Sequence, residues 1–204
     1  MFREIVIPRD NEEEFIQLGL KLGMKNICFL YSFDENSKVK IEKLTELNHK
    51  NIKIESGLIV NGKNVNEALQ QSKFPVAKSS DQDRILIESK KIKLIYGFEE
   101  VSKKDYLHQR ISGLNHTICE LAKENNVTIG FPYSSLFNKN ENEISMILGR
   151  FMQNIKLCQK YNVKTMIGAF SEKPYEMRAP HDVISLFILL GMDGKIVKYS
   201  FGKL

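Results

Sequence analysis

Short apolar segments alternate with helical segments along the whole of this sequence, and this alternation constrains the fold more than any other feature. Alternation of this kind predicts parallel strands joined by right-handed crossovers. Eight such units predict an α/β protein with a closed (β/α)8 TIM-like barrel. An open doubly wound sheet with fewer strands is the alternative, since segment 74–77 is very short. The predicted strands are 3–7, 26–31, 52–60, 74–77, 92–96, 127–131, 164–169 and 196–200.

Caps and periodicity mark the helices that separate these strands. Asn140 and Glu143 have the spacing of a capping box, and apolar residues then repeat at helical spacing from Ile144 to Cys158. Asn11 is followed by three glutamates and is placed to cap an earlier helix, because anionic side chains stabilise a first turn. Further helices are predicted at 37–48, 64–72, 82–89 and 180–190, the last with Pro180 in its first turn.

Length and charge limit the size of the protein and its partners. The chain has 204 residues, which is enough for one well-buried core but too few for a second full domain. We find no low-complexity stretch and no linker, so 1–204 is predicted to be a single domain. The formal net charge is +5, which fits a polyanionic partner and a merely basic surface equally well.

The cysteines and the hydropathy of the sequence indicate in which cellular compartment we expect the protein. Cys28, Cys119 and Cys158 are odd in number, far apart and flanked by apolar residues, so we expect reduced cysteines in the core. No CxxC pair is present, which removes the ligand pattern of a zinc ribbon. The N-terminal segment lacks an apolar signal region, and no apolar run has the length of a membrane span. We therefore expect an unprocessed cytoplasmic protein without a membrane partner.

The ends of the predicted strands are where a barrel enzyme would keep its chemistry. They offer one acid, Asp10, and several hydroxyls, but no His–Asp–Ser set and no pair of carboxylates on neighbouring strands. The four histidines form no HxH or HExxH pattern, and none directly follows a predicted strand. We therefore predict no catalytic set and no metal site, and we interpret Asp10 as a turn residue.

The segment 108–137 is the most distinctive part of the chain. It contains SGLNH at 112–116, LAKENNV at 121–127 and an apolar strand. Thr117 and Glu120 have capping-box spacing, which predicts a helix that begins near Ile118. With NIKLCQKYNV at 154–163 and EMRAPHDVISLFILLGM at 176–192, these segments resemble the archaeal RNase P protein component 3 family, which shares ancestry with the thirty-kilodalton subunit of eukaryotic RNase P. The resemblance runs over nearly the whole chain.

The resemblance implies a non-catalytic subunit of an endoribonuclease. RNase P removes the 5′ leader of precursor tRNA by hydrolysing one phosphodiester bond, and its RNA subunit holds the catalytic magnesium ions. The resemblance implies a barrel that serves only as a scaffold. This scaffold binds RNase P RNA together with a small RRM-like protein subunit. The resemblance thus implies no cofactor on this chain, with magnesium on the RNA subunit.

Two other functions remain open at this point. The family's barrel is similar to that of PHP metal-dependent phosphoesterases, which carry HxH at the end of strand one, where this chain has Pro8, Arg9 and Asp10. A degenerate PHP-like phosphoesterase is therefore the alternative function, although its metal ligands are missing at that point. A protein-interaction scaffold that never touches RNA is the third, and only the net charge and the arginines argue against it.

The implied RNA contacts fall on basic residues, because the planar fork of arginine donates two parallel hydrogen bonds to phosphate. Arg178 precedes a predicted helix N-terminus, which itself attracts anions. Arg150 and Lys156 fall on the polar side of their helix and fit a solvated face equally well. His116 could bind a phosphate or cap its helix. The RNA-binding candidates are Arg84, Arg110, His116, Lys123, Arg150, Lys156 and Arg178, and we expect the four arginines to share one electropositive surface.

Overall fold

A computed structural model describes residues 3–34, 36–46, 51–102 and 104–201. Its strands form one parallel sheet, in which each strand pairs with the next along the chain. The predicted parallel α/β architecture is confirmed. The seven strands of this sheet are β1 (Arg3–Val6), β2 (Asn26–Ser32), β3 (Lys53–Val60), β4 (Pro75–Lys78), β5 (Leu94–Tyr96), β6 (Thr128–Pro132) and β7 (Thr165–Gly168).

Backbone hydrogen bonds join the first strand to the segment that follows the last one. The amide of Phe170 donates to the Ile5 carbonyl at 2.7 Å, and the amide of Ile7 donates to the Ser171 carbonyl at 2.9 Å. The sheet therefore curls into a nearly closed TIM-like barrel, and an open doubly wound sheet is excluded because its strand order would not be sequential.

The predicted eighth strand is wrong, because residues 196–200 lie in a helix. Asp193 caps this helix by accepting hydrogen bonds from the amides of Lys195 and Ile196. Val197 and Phe201, four residues apart, are both fully buried on its inner side. The five-residue segment 196–200 (IVKYS) is too short to show its period, and burial at helical spacing decides for the helix.

Helices cover the outside of the barrel and bury the larger part of the core against it. Phe131 of β6 makes edge contacts with Phe151 and Phe187 at centroid distances of 5.9 Å each. All three rings are fully buried. The helices are α1 (Glu12–Lys21), α2 (Ser37–Glu46), α3 (Val65–Gln71), α4 (Asp83–Glu88), α5 (His116–Glu124), α6 (Glu141–Tyr161), α7 (Pro180–Leu189) and α8 (Gly194–Ser200).

Residues 47 and 48 of the predicted second helix lie outside the described residues. The capping box of Asn140 and Glu143 is confirmed at the start of α6. Asn11 does precede α1, but its side chain accepts from the Arg9 amide at 2.9 Å and does not bond to the helix.

The inside of the barrel holds a second, smaller core of apolar side chains. Tyr96 and Phe170 stack at the carboxyl ends of the strands, with centroids 4.3 Å apart. Phe170 has a φ of +50°, and its ring lies over Gly130 and Gly168, where a Cβ would come within 3.2 Å of that ring. The centre of the barrel mouth, where an active site normally lies, is therefore filled with apolar side chains.

The cysteines are free and buried, as expected from the sequence, and burial raises the pKa of the Cys28 thiol to about 12. No helix in the described ranges is long and apolar enough to span a membrane.

Candidate functional site

The carboxyl rim of β1 carries charges that neutralise each other. Arg9 forms two contacts of 2.7 Å with the Glu172 carboxylate, one from Nε and one from Nη2. Asp10 follows with a φ of +56°, a turn conformation, in line with its interpretation as a turn residue. Within the ranges that the structure describes, no group of three or more His, Cys, Asp or Glu side chains could hold a metal ion.

A buried carboxylate, which sequence reasoning missed, lies at the seam between β1 and β7. Oε1 of Glu4 accepts hydrogen bonds from the amides of Ile5 and Ala169 at 3.0 and 2.6 Å, and Oε2 accepts from the Tyr133 hydroxyl at 2.7 Å. Burial raises the pKa of Glu4 to about 7, against the smaller opposite effect of these hydrogen bonds. Because every oxygen faces protein donors, Glu4 stabilises the seam and does not face a substrate.

Arg150 is buried, so the expectation that it lies on a solvated polar face is wrong. Only 1% of it is exposed. Its Nε and Nη2 donate to Oδ1 of Asp105 at 3.0 and 2.8 Å, and its Nη1 donates to the carbonyls of Glu99 and Ser102 at 2.7 and 2.6 Å. The guanidinium therefore holds the loop 101–115 against α6 and is not available to a phosphate. Helical periodicity could not show this, because the covering loop is some 45 residues away in sequence.

Asp105, at the centre of this loop, forms an ion pair with Arg150. Partial burial opposes its ionisation, but hydrogen bonds from the Ile111 amide and from Arg150 outweigh that effect and lower its pKa. Deeper in, Oε1 of Glu99 accepts from Nδ2 of Asn154 at 2.8 Å, and burial raises the pKa of Glu99 to about 7. These polar residues were not identified from the sequence, since nothing local marks them as buried.

The loop presents Arg110 on the surface in a defined place. Its guanidinium lies over Gly149 of α6, and its Nη1 donates to the Gly149 carbonyl at 3.3 Å. A Cβ at Gly149 would approach Arg110 Nε to 2.8 Å. Gly113 allows the loop to pack closely: its φ is +78°, and a Cβ there would lie 2.4 Å from the Phe98 carbonyl oxygen. Arg110 is thus exposed and already oriented.

The cap of α5 differs from the prediction. Asn115, with extended backbone angles, accepts from the Ile118 amide at 2.9 Å, so the helix begins at His116 and the proposed box of Thr117 and Glu120 is wrong. His116 does not cap the helix; it is exposed, with Nε2 3.3 Å from Oγ1 of Thr117. Lys123 near the end of α5 and Lys156 on α6 are exposed as well.

Arg178 is exposed immediately before α7 and is held by its neighbours. Its Nη1 donates to the carbonyls of Tyr175 and Met177 at 2.8 and 2.9 Å, and its guanidinium lies 4.3 Å above the Phe137 ring. Arg84 on α4 is exposed and pairs with Glu88 at 2.8 Å. Since Arg150 is buried, the four arginines do not share one surface, and the three exposed ones remain candidates.

Comparison with known proteins decides the family. The model of the family described as RNase P subunit p30 matches residues 100–204, half of the chain, including the loop and α5. The chain belongs to the RNase P subunit p30 family. A protein named ribonuclease P protein component 3 from Methanocaldococcus jannaschii is 28% identical over 186 residues, which cover 88% of this chain and 78% of that relative. A relative with the same name from Thermococcus gammatolerans is 36% identical over 112 residues, covering 54% and 48%.

Solved structures agree with the barrel of this p30 family member. A chain in a structure titled as archaeal ribonuclease P with mature tRNA matches with a TM-score of 0.80 and 21% identity, over 97% of this chain and 87% of that chain. An amidohydrolase structure matches with a TM-score of 0.58 and 9% identity, over 98% and 71%. At these identities the matches speak for the fold alone.

Proposed function

We propose that this protein acts as a single-domain protein subunit of ribonuclease P, supporting the RNA subunit in removing the 5′ leader of precursor tRNA. Family membership is the observation that carries the proposal, because the matched relatives bear the name of that subunit. The protein binds RNase P RNA, takes part in holding precursor tRNA as the holoenzyme substrate, and works in the cytoplasm.

In this proposal the chain performs no chemistry. Tyr96 and Phe170 fill the centre of the barrel mouth, and at the end of β1 the Pro8–Arg9–Asp10 run offers one carboxylate and no imidazole. That donor set does not fit a catalytic metal site of the PHP type, which argues against the phosphoesterase alternative. The chain needs no cofactor of its own, and the catalytic magnesium belongs to the RNA subunit.

The proposed RNA contacts rest on exposed cations, two of which are held in fixed orientations. Arg110 and Arg178 are each held by carbonyl oxygens through Nη1, which leaves other guanidinium N–H groups for a phosphate. Arg84, His116, Lys123 and Lys156 are exposed and add charge or donors to the interface. Arg150 contributes indirectly, by holding the loop that presents Arg110.

A small RRM-like protein subunit is the proposed protein partner. Large apolar side chains are exposed in the described structure, among them Leu107 at 92% in the loop 101–115 and Leu189 at 82% at the end of α7. Such side chains gain free energy when a partner covers them, at roughly 25 cal/mol per Å² of apolar surface. They are our candidates for the protein interface.

Reconstitution tests the proposal. The chain is added to RNase P RNA and the other protein subunits, and cleavage of a 5′-extended precursor tRNA is followed at limiting magnesium. We expect faster cleavage with the chain than without it, because bound cations relieve backbone repulsion in the RNA. Cleavage rates that are identical with and without the folded chain, over the full magnesium range, would refute the proposal.

A further inference from the structure

Three lysines lie one or two residues before barrel strands, at the same end of the barrel. Lys73 stands two residues before β4, Lys93 directly before β5 and Lys164 directly before β7. The carbonyls of Lys93 and Lys164 accept from the amides of Thr128 and Ile129 of β6, at 3.0 and 2.9 Å, which fixes them at the amino end of the sheet. Because parallel strands begin at one edge, residues far apart in sequence meet there. We call Lys73, Lys93 and Lys164 the lysine rim.

The lysine rim lines a cleft of about 280 Å³ on the face opposite to the barrel mouth. Among the residues that the structure describes, no carboxylate lines this cleft, and none of the three lysines forms an ion pair. The other polar residues that line the cleft are neutral, and Nζ of Lys164 donates to Oδ1 of one of them, Asn126, at 2.7 Å. The carboxyl rim differs, since Arg9 there pairs with Glu172. The lysine rim therefore carries positive charge that no carboxylate of its cleft compensates.

An aromatic ring accompanies these charges. Tyr199 of α8 lines the cleft and is 52% exposed, and Phe74 lines it from the start of β4. A neighbouring cleft shares Lys164 and Tyr199 and adds Lys195, so the basic track continues along α8. Lysines that follow a backbone, with an exposed ring on which a base can stack, are the combination that binds nucleic acid with little sequence preference.

The dimensions suit a short piece of RNA backbone. Neighbouring strands lie ~4.8 Å apart, so the three spacings from β4 to β7 span an arc of roughly 14 Å. A nucleic-acid strand carries one charge per ~3.4 Å of helix axis, so this arc faces on the order of four phosphates. An acidic protein segment would satisfy the lysines but would leave the Tyr199 ring without a base to stack on.

We propose that the lysine rim binds the phosphate backbone of RNA, with Tyr199 stacking on a base, as a second RNA site on the face opposite to the barrel mouth. The inference rests on the proposed ribonuclease P function, which supplies two RNA sources of the same chemistry: the RNA subunit and the precursor tRNA.

The test compares two triple variants with equal charge change. The rim variant carries Lys73→Gln, Lys93→Gln and Lys164→Gln. Its control replaces three exposed lysines outside the rim and outside the loop 101–115, two in α2 and one in the loop after β3. Circular dichroism melts confirm that both fold like wild type. Affinities for RNase P RNA and for precursor tRNA are measured separately between 50 and 300 mM salt, on the order of the range in which counterion release dominates. The control lysines are Lys38, Lys43 and Lys63.

We expect the rim variant to lose tenfold or more in affinity and to flatten the salt slope by roughly two to three units, while the control retains most of its affinity. Tyr199→Ala should weaken binding about fivefold or more with an unchanged salt slope, because stacking releases no counterions. Loss against only one of the two RNAs identifies that RNA as the source, and loss against both means that either can occupy the rim.

The outcome also separates the two proposals. If wild type stimulates cleavage and binds RNA while the rim variant matches it in affinity and salt slope, the rim inference is wrong and the ribonuclease P function stands. If the rim and control variants lose equal affinity, net charge explains the effect and the rim inference is again wrong. If wild type neither binds either RNA nor stimulates cleavage, the proposed function fails and the rim inference fails with it.

Discussion

Replacing Arg150 by Met should destabilise the protein strongly, although the position reads as polar surface in the sequence. The guanidinium makes two hydrogen bonds to Asp105 and one each to the carbonyls of Glu99 and Ser102, with 1% of the residue exposed. Methionine has a similar length but no donors, so two carbonyls and the Asp105 carboxylate lose their partner. Removing one member of a buried pair costs about 3–5 kcal/mol, and we expect a loss of unfolding free energy in that range.

Urea unfolding followed by far-UV circular dichroism measures this loss, provided that the slope against urea is unchanged. The matched control is Arg84→Met, which removes an exposed i, i+4 pair with Glu88 and should leave the unfolding midpoint unchanged within error. Arg150→Lys keeps the charge but not the planar fork, so it should recover only part of the loss. Hydrogen exchange of the Ile111 amide should accelerate in Arg150→Met, because its acceptor Asp105 is released.

A loss below about 1 kcal/mol for Arg150→Met, with unchanged exchange at Ile111, would refute the assignment of Arg150 as the residue that holds the loop. In that case the loop 101–115 would be held by its other contacts. The affinity for RNA is a second readout, since a loosened loop no longer orients Arg110 over Gly149.

Four further predictions concern other parts of the molecule. Burial raises the pKa of Glu4 from 4.5 to about 7, so the folded state retains a proton that the unfolded state loses, and stability should fall by about 3 kcal/mol as the pH rises from about 4.5 to 7. Glu4→Gln should lose that part of the pH dependence in urea unfolding at pH 5 and pH 8; equal pH dependence in both proteins would contradict the raised pKa. Arg178→Ala should weaken RNA binding and flatten the salt slope by roughly one unit, and a slope equal to wild type would remove Arg178 from the interface. The purified chain should show no phosphoesterase or nuclease activity with magnesium, manganese or zinc; turnover that follows the protein through purification and is lost in Asp10→Asn would contradict this. Mixing with the RRM-like subunit should give a complex that elutes together in size-exclusion chromatography and is weakened by Leu189→Lys, and separate elution at micromolar concentration would count against that partner.

The sequence by itself determined the parallel α/β barrel and the family. Strand and helix periods are local properties, and seven of the eight predicted strands lie where the structure has them. The capping box at Asn140 was equally local, because both of its partners lie within one turn. The place of Arg178 before a helix N-terminus also followed from the sequence, whereas its role in RNA binding stays a prediction.

Only the tertiary structure decided the features that depend on distant residues. Segment 196–200 became α8 because Val197 and Phe201 bury together at helical spacing, although the apolar run itself fits a strand. Arg150 is inside because a loop 45 residues earlier in the chain covers it and supplies its acceptors. The lysine rim exists because Lys73 and Lys164 precede strands that begin at one edge of the sheet. Local free energies select helices and strands, but burial of a charge and the meeting of distant side chains are set by which elements pack together.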